Sequence, residues 1–270
     1  MDEVGVYFGE NCRIPDGEGS FPVQGTLAWL SKDDGTRTDL MTQHAADIRH
    51  VGVSEGEVYG AFSAEVEQSA SLVRLRRDGV MSPGNTPTLV DVRSVSLPFA
   101  LEPDGVVWFN ARTKTFFRLR KASGSSELIA RFRDAPEVND MREVPDVESL
   151  FVVGGSVNVA ARVHLDSGAT ERRLWRAPLS GGPPEQAFDG IVSEFVTADG
   201  AGYYGAGFNT QDGLVVNRIY RWLPPKYEPE AIAAGLDWPK SIAIDGTHAF
   251  FIDESVGDPT FTLRLVRVER

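Results

Sequence analysis

The chain has 270 residues, 41% hydrophobic and 10% aromatic, which excludes a disordered protein or a coiled coil. Its formal net charge of −12 repels nucleic-acid phosphates and anionic membrane surfaces, because no block of Lys and Arg offsets it locally. The single cysteine, Cys12, excludes an internal disulfide and a cysteine-rich zinc site, and no apolar run approaches the ~20 residues of a membrane span.

Similar units recur along the chain, and an aromatic residue in the second strand of each unit is its anchor. These anchors are Tyr7, Tyr59, Trp108, Phe151, Tyr203 and Phe250, at intervals of 52, 49, 43, 52 and 47 residues. Such spacing, with several strands in each unit, is typical of propeller blades. Because no segment keeps a helical period over three turns, the sequence predicts an all-β chain.

Each unit is predicted to contain four strands in a fixed order. The first strand is followed by a turn and then by the aromatic strand, as around Asp245-Gly246, where Gly favours a two-residue turn with positive φ. The other turns are Glu55-Gly56, Asp104-Gly105, Asp199-Gly200 and a degenerate Glu148-Ser149. The third strand alternates apolar and basic residues (72–75, 117–119, 175–179, 219–222, 263–267), and a short fourth strand follows (38–41, 88–90, 127–130, 185–188, 230–233).

Two stretches carry a family resemblance. Asp245-Gly246-Thr247-His248 precedes an aromatic pair, and an Arg-containing strand at 175–179 precedes the turn Gly181-Gly182-Pro183. The pattern resembles the repeats of six-bladed β-propellers of the YWTD and NHL type, in particular bacterial propeller repeat proteins. The resemblance covers the whole chain and implies a single six-bladed propeller domain over residues 1–270, with four-stranded blades. It implies an architecture and no particular activity.

The ends of the repeat predict an incomplete seam. The chain enters at a second strand and leaves after a third strand, so one fourth strand and one first strand are missing from the ring. Trimming, processing or a degenerate closing blade would each account for this, and we favour the first two. Open strand edges pair readily with other chains, so the sequence predicts self-association or lability at the seam.

A ligand site is predicted at the face where the loops from second to third strands open. Two of these loops are predicted to be long, at 9–25 and 154–173, and one is short, at 111–115. Residues that enter each first strand should ring the mouth of the channel there. They are Arg49, Ser94, Asp140, Ser193 with Glu194, and Lys240 with Trp238. The alternative is an ordinary solvated rim.

Other candidate sites are weaker. Asp253, Glu254 and Asp258 form an acidic loop that could hold calcium, with Asn139, Asp140 and Glu143 as further oxygen ligands, but the spacing of a dedicated calcium loop is missing. His44 and His50 could approach the channel, whereas His248 belongs to the repeat pattern and His164 to a loop. No Gly-x-Ser-x-Gly element is present, so a hydrolase nucleophile of that kind is not supported. Cys12 is predicted to be a bystander thiol.

The predicted function is a non-catalytic binding or scaffold module that recognises a protein or a polar ligand through one loop face. The alternative is a calcium-type metal-dependent hydrolase or lyase with its site at the mouth of the channel, and enzymatic activity is left open. No cofactor is expected apart from possible calcium, and nucleic acid and membrane insertion are not expected. The sequence favours an exported protein whose signal is absent from this chain, with a cytoplasmic location as the alternative.

Overall fold

The computed structural model describes residues 5–13, 23–64, 69–76, 88–92, 97–135, 146–164, 170–188, 191–198, 200–209, 215–223, 228–236, 239–254 and 263–269, some of them by their backbone alone. In these ranges the chain forms β-strands and one short 3₁₀ turn, Phe132–Asp134, and no α-helix. The predicted all-β fold class is therefore confirmed. The chain divides into two compact units, Met1–Leu128 and Ile129–Arg270, and the boundary falls within the eleventh strand.

The N-terminal unit contains strands β1 to β10 and the beginning of β11. Their bounds are β1 Gly5–Arg13, β2 Val23–Ser31, β3 Arg37–His44, β4 Asp47–Ser54, β5 Glu57–Ala64, β6 Ser69–Arg76, β7 Thr88–Val92, β8 Phe99–Glu102, β9 Gly105–Asn110, β10 Thr115–Arg120 and β11 Ser126–Arg131. They form three antiparallel sheets, ordered β1-β2-β3, β4-β5-β6-β7 and β11-β10-β9-β8. The predicted fourth strands at 38–41, 88–90 and 127–130 lie within β3, β7 and β11.

Facing sheets of this unit enclose two apolar clusters. Leu27, Met41 and Ile48 pack with Val58 and Phe62 between the first two sheets. Tyr59 and Leu72 pack against Trp108 and other residues of β8 to β10 in the second cluster. Successive side chains of a strand point to opposite faces of its sheet, so apolar residues at every second position form an apolar face that packs against the neighbouring sheet.

The first two sheets approach closely where β1 and β2 meet β4. The Asn11 side chain accepts a hydrogen bond from the Ile48 amide at 2.8 Å and donates one to the Ile48 carbonyl at 3.0 Å. Gln24 forms a parallel bridge with Ala46. A Cβ atom on Gly25 would lie 2.7 Å from the Ala46 carbonyl oxygen, so a side chain does not fit at this contact.

The C-terminal unit contains strands β12 to β22. Their bounds are β12 Asp146–Val153, β13 Ser156–His164, β14 Thr170–Pro178, β15 Glu185–Phe188, β16 Ile191–Ala198, β17 Ala201–Asn209, β18 Val215–Trp222, β19 Pro229–Leu236, β20 Pro239–Ile244, β21 His248–Glu254 and β22 Leu263–Glu269. The sheets are β12-β13-β14-β15, β16-β17-β18-β19 and β20-β21-β22. Buried Tyr204, Tyr220 and Trp222 pack against the first of them, and buried Tyr203, Ile219 and Phe251 fill the space between the other two.

The strand order confirms the predicted units and the incomplete first and last sheets among the described residues. The sheet β1-β2-β3 contains a second, third and fourth strand, and the sheet β20-β21-β22 contains a first, second and third strand. The anchors Tyr7, Tyr59, Tyr203 and Phe250 lie on second strands as predicted. Whether the chain is one domain stays a prediction.

The fourth unit corrects the sequence analysis. Phe151 lies on β12, which is a first strand, and Asn158 faces it on the second strand β13. The turn between them is Gly154-Gly155, both with positive φ, and not Glu148-Ser149. The interpretation was wrong because Phe151, at the end of an apolar run, looks like the aromatic of a second strand. An asparagine takes that position instead.

Two predicted loops and two predicted turns also differ. In place of Asp104-Gly105 the turn is Pro103-Asp104, because Gly105 is already the first residue of β9 and pairs with Glu102. Much of 9–25 and 154–173 is strand, since β1 pairs with β2 out to Arg13 and Val23, and β13 pairs with β14 out to His164 and Thr170. Glu55 and Gly56 both have positive φ, as a primed two-residue turn requires. Gly246 does not; instead, the Asp245 carboxylate accepts hydrogen bonds from the amides of Thr247 and His248 at 2.7 and 2.6 Å. Aspartate side chains commonly close turns in this way.

Candidate functional site

The described part of the N-terminal unit has a cleft between the sheets β4–β7 and β8–β11. Its volume is about 220 Å³. It lies at the end of the sheets that carries the β4–β5, β8–β9 and β10–β11 turns, opposite the short β9–β10 turn. We call it the cationic cleft and define it by its lining residues: Tyr59, Arg74, Val106, Leu119, Arg120, Lys121 and Gly124.

The strand register places these residues together. Tyr59 on β5 is the cross-strand partner of Arg74 on β6, and Val106 on β9 is the partner of Leu119 on β10. Val106 and Leu119 are buried and form an apolar floor. Lys121 directly follows β10, so the β10–β11 turn brings its ammonium group over the Tyr59 ring, with Nζ 5.9 Å from the ring centre. Such a distance allows a cation–π attraction.

Lys121 is the central cation of the cleft. Its side chain is 16% exposed, and the nearest oxygens to Nζ are long contacts: 3.3 Å to the Pro103 carbonyl, 3.4 Å to Ser54 Oγ and 3.6 Å to Glu55 Oε2. Hydrogen bonds from nitrogen to oxygen are typically about 2.9–3.0 Å long. A ligand oxygen at that shorter distance would therefore interact with the ammonium group more strongly than these neighbours do.

The phenol of Tyr59 stays protonated. The side chain is fully buried, and the hydroxyl donates a 2.6 Å hydrogen bond to Glu57 Oε2. Burial, followed by that hydrogen bond and the Glu57 charge, raises the pKa of Tyr59 well above its usual value. Glu57 also lies 3.7 Å from Arg74, so one carboxylate holds both the hydroxyl and the guanidinium in place.

Arg120 is held more firmly than Lys121 and Arg74. It donates hydrogen bonds to Asp104 at 3.3 Å and to Glu127 at 2.8 Å. Beside it, Arg118 donates to buried Glu102 at 2.7 Å, and desolvation raises the pKa of Glu102 although the Arg118 charge lowers it. These ion pairs hold the end of the sheet β8–β11 in place, and Lys121 extends from this end.

The residues predicted at the channel mouth are only partly described. Arg49 is exposed on β4, where it donates a 3.1 Å hydrogen bond to Asp47. Glu194 and Lys240 lie on β16 and β20, which the structure describes by their backbone at these positions. Ser94, Asp140 and Trp238 lie outside the described residues. The rim site therefore stays a prediction; Arg49 itself lies near the start of β4, away from the β4–β5 turn beside the cationic cleft.

His50 lies next to Arg49 on the same strand. Its ring meets Phe99 edge-on at 6.5 Å, and burial, with the Arg49 charge as a smaller cause, lowers its pKa to about 4. The imidazole is therefore neutral at physiological pH. His248, predicted to be structural, is the first residue of β21, with Nδ1 2.6 Å from Thr247 Oγ1.

The calcium interpretation stays a prediction. Asp253 is buried and accepts a 2.6 Å hydrogen bond from Arg264, so a guanidinium already neutralises this carboxylate. Asn139, Asp140, Glu143 and Asp258 lie outside the described residues, and among those described no group of three or more His, Cys, Asp or Glu could hold a metal. Cys12 is exposed on β1.

The sequence analysis missed the cationic cleft. Tyr59 was identified as an anchor and Arg74 as part of an alternating strand, but nothing in either pattern relates them to Lys121. The available signal was weak: Lys121 directly follows the third strand, and turns at Gly56 and at Pro103-Asp104 precede strands that form the cleft. Only the packing of two sheets brings these turns together.

Comparisons with known proteins were made for sequence and for structure. No protein-family model and no curated protein matches the sequence. The fold is similar to that of a Mycobacterium tuberculosis puromycin-hydrolyzing peptidase, with a TM-score of 0.61 and 13% identity over 97% of this chain and 42% of the peptidase. It is also similar to a chain of the nidogen/laminin complex, with a TM-score of 0.52 and 11% identity over 92% of this chain and 86% of that chain.

TolB from Acinetobacter baumannii gives a TM-score of 0.50 at 10% identity, over 91% of this chain and 60% of TolB. The chain thus spans less than two thirds of TolB and of the peptidase. These likenesses show the fold: the chain is a β-propeller, as the sequence predicts. The similar proteins include both peptidases and proteins that are not named as enzymes, so the likeness does not decide the activity.

Among the described residues, no helix has the length and hydrophobicity to cross a bilayer. Export stays a prediction.

Proposed function

We propose that this β-propeller is a non-catalytic binding module that holds a negatively charged group in the cationic cleft. The group is a carboxylate, presented by a protein side chain or by a small acid. The observation that carries the proposal is Lys121, a mostly buried ammonium group whose oxygen neighbours all lie at 3.3 Å or more, above an apolar floor. The charged residues that line the cleft are all cations.

The size of the cleft supports a small ligand group. Sites for drug-sized ligands enclose roughly 300–1,000 Å³. At about 220 Å³ the cleft is smaller, and it suits one acidic side chain or a dicarboxylic acid. Lys121 would attract the carboxylate from one side and Arg74 from another, while Val106 and Leu119 contact its methylene groups. Charge-assisted hydrogen bonds of this kind are stronger than neutral ones.

The experiment is a titration of isotope-labelled protein with succinate, followed by NMR. We expect chemical-shift changes confined to residues of the cleft, and an affinity at least about tenfold weaker in Lys121→Met, which keeps most of the side-chain volume. Lys32→Met is the matched control, because it removes the same charge from an exposed turn outside the cleft. Neutral succinamide should not bind.

Equal binding of succinate and succinamide would contradict the proposal, as would unchanged binding to Lys121→Met. Shifts that appear instead around Arg49 would favour the predicted channel mouth over the cleft.

We also propose that the sheets are the blades of one six-bladed propeller domain with repeats of the YWTD and NHL type. Support comes from a cross-strand position that recurs in all six sheets. Each third strand carries a bulky residue there, opposite the anchor position of the second strand: Trp29 in the first sheet, Phe117 in the sheet β8–β11 and an arginine in the other four. The four arginines are Arg74, Arg176, Arg221 and Arg267.

A further inference from the structure

Three of the four-stranded sheets share an ion pair between their third and fourth strands. In the sheet β12–β15, Arg176 is the direct cross-strand partner of Glu185 and donates a hydrogen bond to it. In the sheet β16–β19, Arg221 is the partner of Glu230, at 2.6 Å. In the sheet β8–β11, Arg118 and Arg120 lie 3.8 and 2.8 Å from Glu127. A glutamate near the start of the fourth strand thus meets an arginine of the third strand each time, and in two of the three sheets that arginine is the cross-strand partner of the anchor position.

The fourth strands share a second feature. Apolar residues stand two and three positions after the glutamate, as Ile129-Ala130, Ala187-Phe188 and Ile232-Ala233. They come opposite the apolar residue two positions before the arginine: Leu174 pairs with Phe188, and Ile219 pairs with Ala233. The strands that pair with third strands in these sheets therefore carry an acidic residue followed by apolar residues.

Strand β22 has the same third-strand pattern. Leu265-Val266-Arg267-Val268 corresponds to Leu174-Trp175-Arg176-Ala177 and to Ile219-Tyr220-Arg221-Trp222. Arg267 faces Phe250 on its second strand, just as Arg221 faces Tyr203. Arg267 is thus the equivalent of the arginines that bind a glutamate of the fourth strand.

No fourth strand joins β22 within the described part of the chain. The sheet ends with β22, and no acidic partner of Arg267 stands among the described residues. Leu265, equivalent to buried Leu174 and Ile219, is 74% exposed. A strand edge of this kind offers unpaired backbone groups to another strand. The edge also presents the exposed cation Arg267, in a chain whose net charge is −12.

We propose that this edge of β22 binds an extended segment of a partner protein, antiparallel to β22. The segment carries a glutamate or aspartate opposite Arg267, followed two or three positions later by an apolar residue that covers Leu265. Backbone hydrogen bonds hold such an added strand, and side-chain pairs select it. The site is separate from the cationic cleft, so either proposal stands if the other fails.

A second copy of the chain fits this edge less well. Antiparallel pairing of two β22 strands centred on Arg267 places that arginine opposite itself, and pairing centred on Val266 places Leu265 opposite Arg267. Pairing centred on Val268 gives Arg267 a glutamate partner, Glu269, but leaves Leu265 outside the overlap. Like charges directly opposite each other destabilise a strand pair.

The test uses a peptide with the sequence of the fourth strand β19, Pro229–Leu236, and a control peptide with lysine in place of Glu230. Hydrogen exchange of the Leu263–Glu269 amides is measured in the full chain with increasing peptide. We expect the glutamate peptide to slow this exchange and to bind about fivefold more tightly than the lysine peptide. In Arg267→Glu, an exposed substitution, the preference should reverse.

A tethered version locates the binding edge. Residues Ser180–Phe188 added after Arg270 place a glutamate nine positions after Arg267, the same separation as in the Arg176–Glu185 and Arg221–Glu230 pairs. This chain should protect its own β22 amides and should no longer bind the free peptide. Retained peptide binding would show that the peptide occupies another edge, and would overturn the proposal.

Three further results would overturn it. One is exchange in β22 as slow as in β21 without peptide in a monomer, which means that the edge is already covered. Another is protection that rises with protein concentration together with a dimer in sedimentation, which assigns the edge to a second copy. The third is equal affinity of both peptides for the original chain and for Arg267→Glu.

Discussion

Charged residues of this protein differ in how firmly neighbouring groups hold them, because the packing of the sheets decides which oxygens lie near each one. Lys121 and Arg74 have the same formal charge as Arg120, yet Arg120 is fixed by two carboxylates whereas Lys121 has only long contacts. No sequence pattern separates these three cations. The difference arises from two turns on neighbouring sheets that close over the ammonium group, and this is why the cleft could not be predicted.

His50 gives a pH prediction at this scale. Burial lowers its pKa in the folded chain to about 4, whereas in the unfolded chain it titrates near its ordinary value of 6.5. As the pH falls through 6.5, the unfolded state takes up a proton that the folded state does not, so the folded state loses stability. We expect a loss of about 2 kcal/mol between pH 7.5 and 5.

The measurement is denaturant unfolding at both pH values. His50→Gln should lack this part of the loss, while His44→Gln, which changes an exposed histidine, should keep it. An equal pH dependence of His50→Gln and the original chain would contradict the prediction.

The sequence predicted the strands and turns more accurately than it predicted the candidate site. The fourth strands at 38–41, 185–188 and 230–233 lie within β3, β15 and β19, because turn residues mark their beginnings and the alternation of side chains marks their length. The fourth unit failed at its anchor because Phe151 and Asn158 exchange the expected roles across one hairpin. The periodicity of apolar residues identifies a strand but does not show whether it is the first, second, third or fourth strand of its sheet.

Close contact between neighbouring sheets gives a second prediction. Gly25→Ala places a methyl group 2.7 Å from both the Ala46 carbonyl oxygen and the Ile48 amide, atoms of the backbone that cannot rotate away. We expect it to destabilise the chain by about 1–3 kcal/mol. Gly246→Ala is the matched control, because a Cβ there meets nothing within 4 Å and the backbone has an ordinary φ.

The comparison is made by thermal unfolding of both variants. Equal melting temperatures for Gly25→Ala and the original chain would show that the contact of β2 with the segment before β4 is looser than described.

At the scale of the whole molecule, the sequence predicts one domain, whereas packing divides the chain into two compact units. A single domain unfolds as one cooperative transition. We therefore expect one calorimetric peak, and we expect Phe62→Ala and Phe251→Ala, one in each unit, to shift it as a whole. Loss of such buried aromatic side chains costs about 3–5 kcal/mol.

Two peaks, each sensitive to only one of these variants, would show two independently folding domains.

The fold class itself followed from composition and repeats alone, since six similar units without helical periodicity leave few other architectures. Ligand and activity did not follow, because they depend on which side chains neighbouring sheets bring together.

The order of strands has a consequence for how the protein is made. Every described sheet consists of strands that follow one another directly in the chain, and the recurrent arginine–glutamate pairs in two of them join residues only nine positions apart. Contacts this local close with little loss of chain entropy, and local contacts speed folding. Each sheet can thus assemble soon after its last strand leaves the ribosome, before the following sheet has been synthesised.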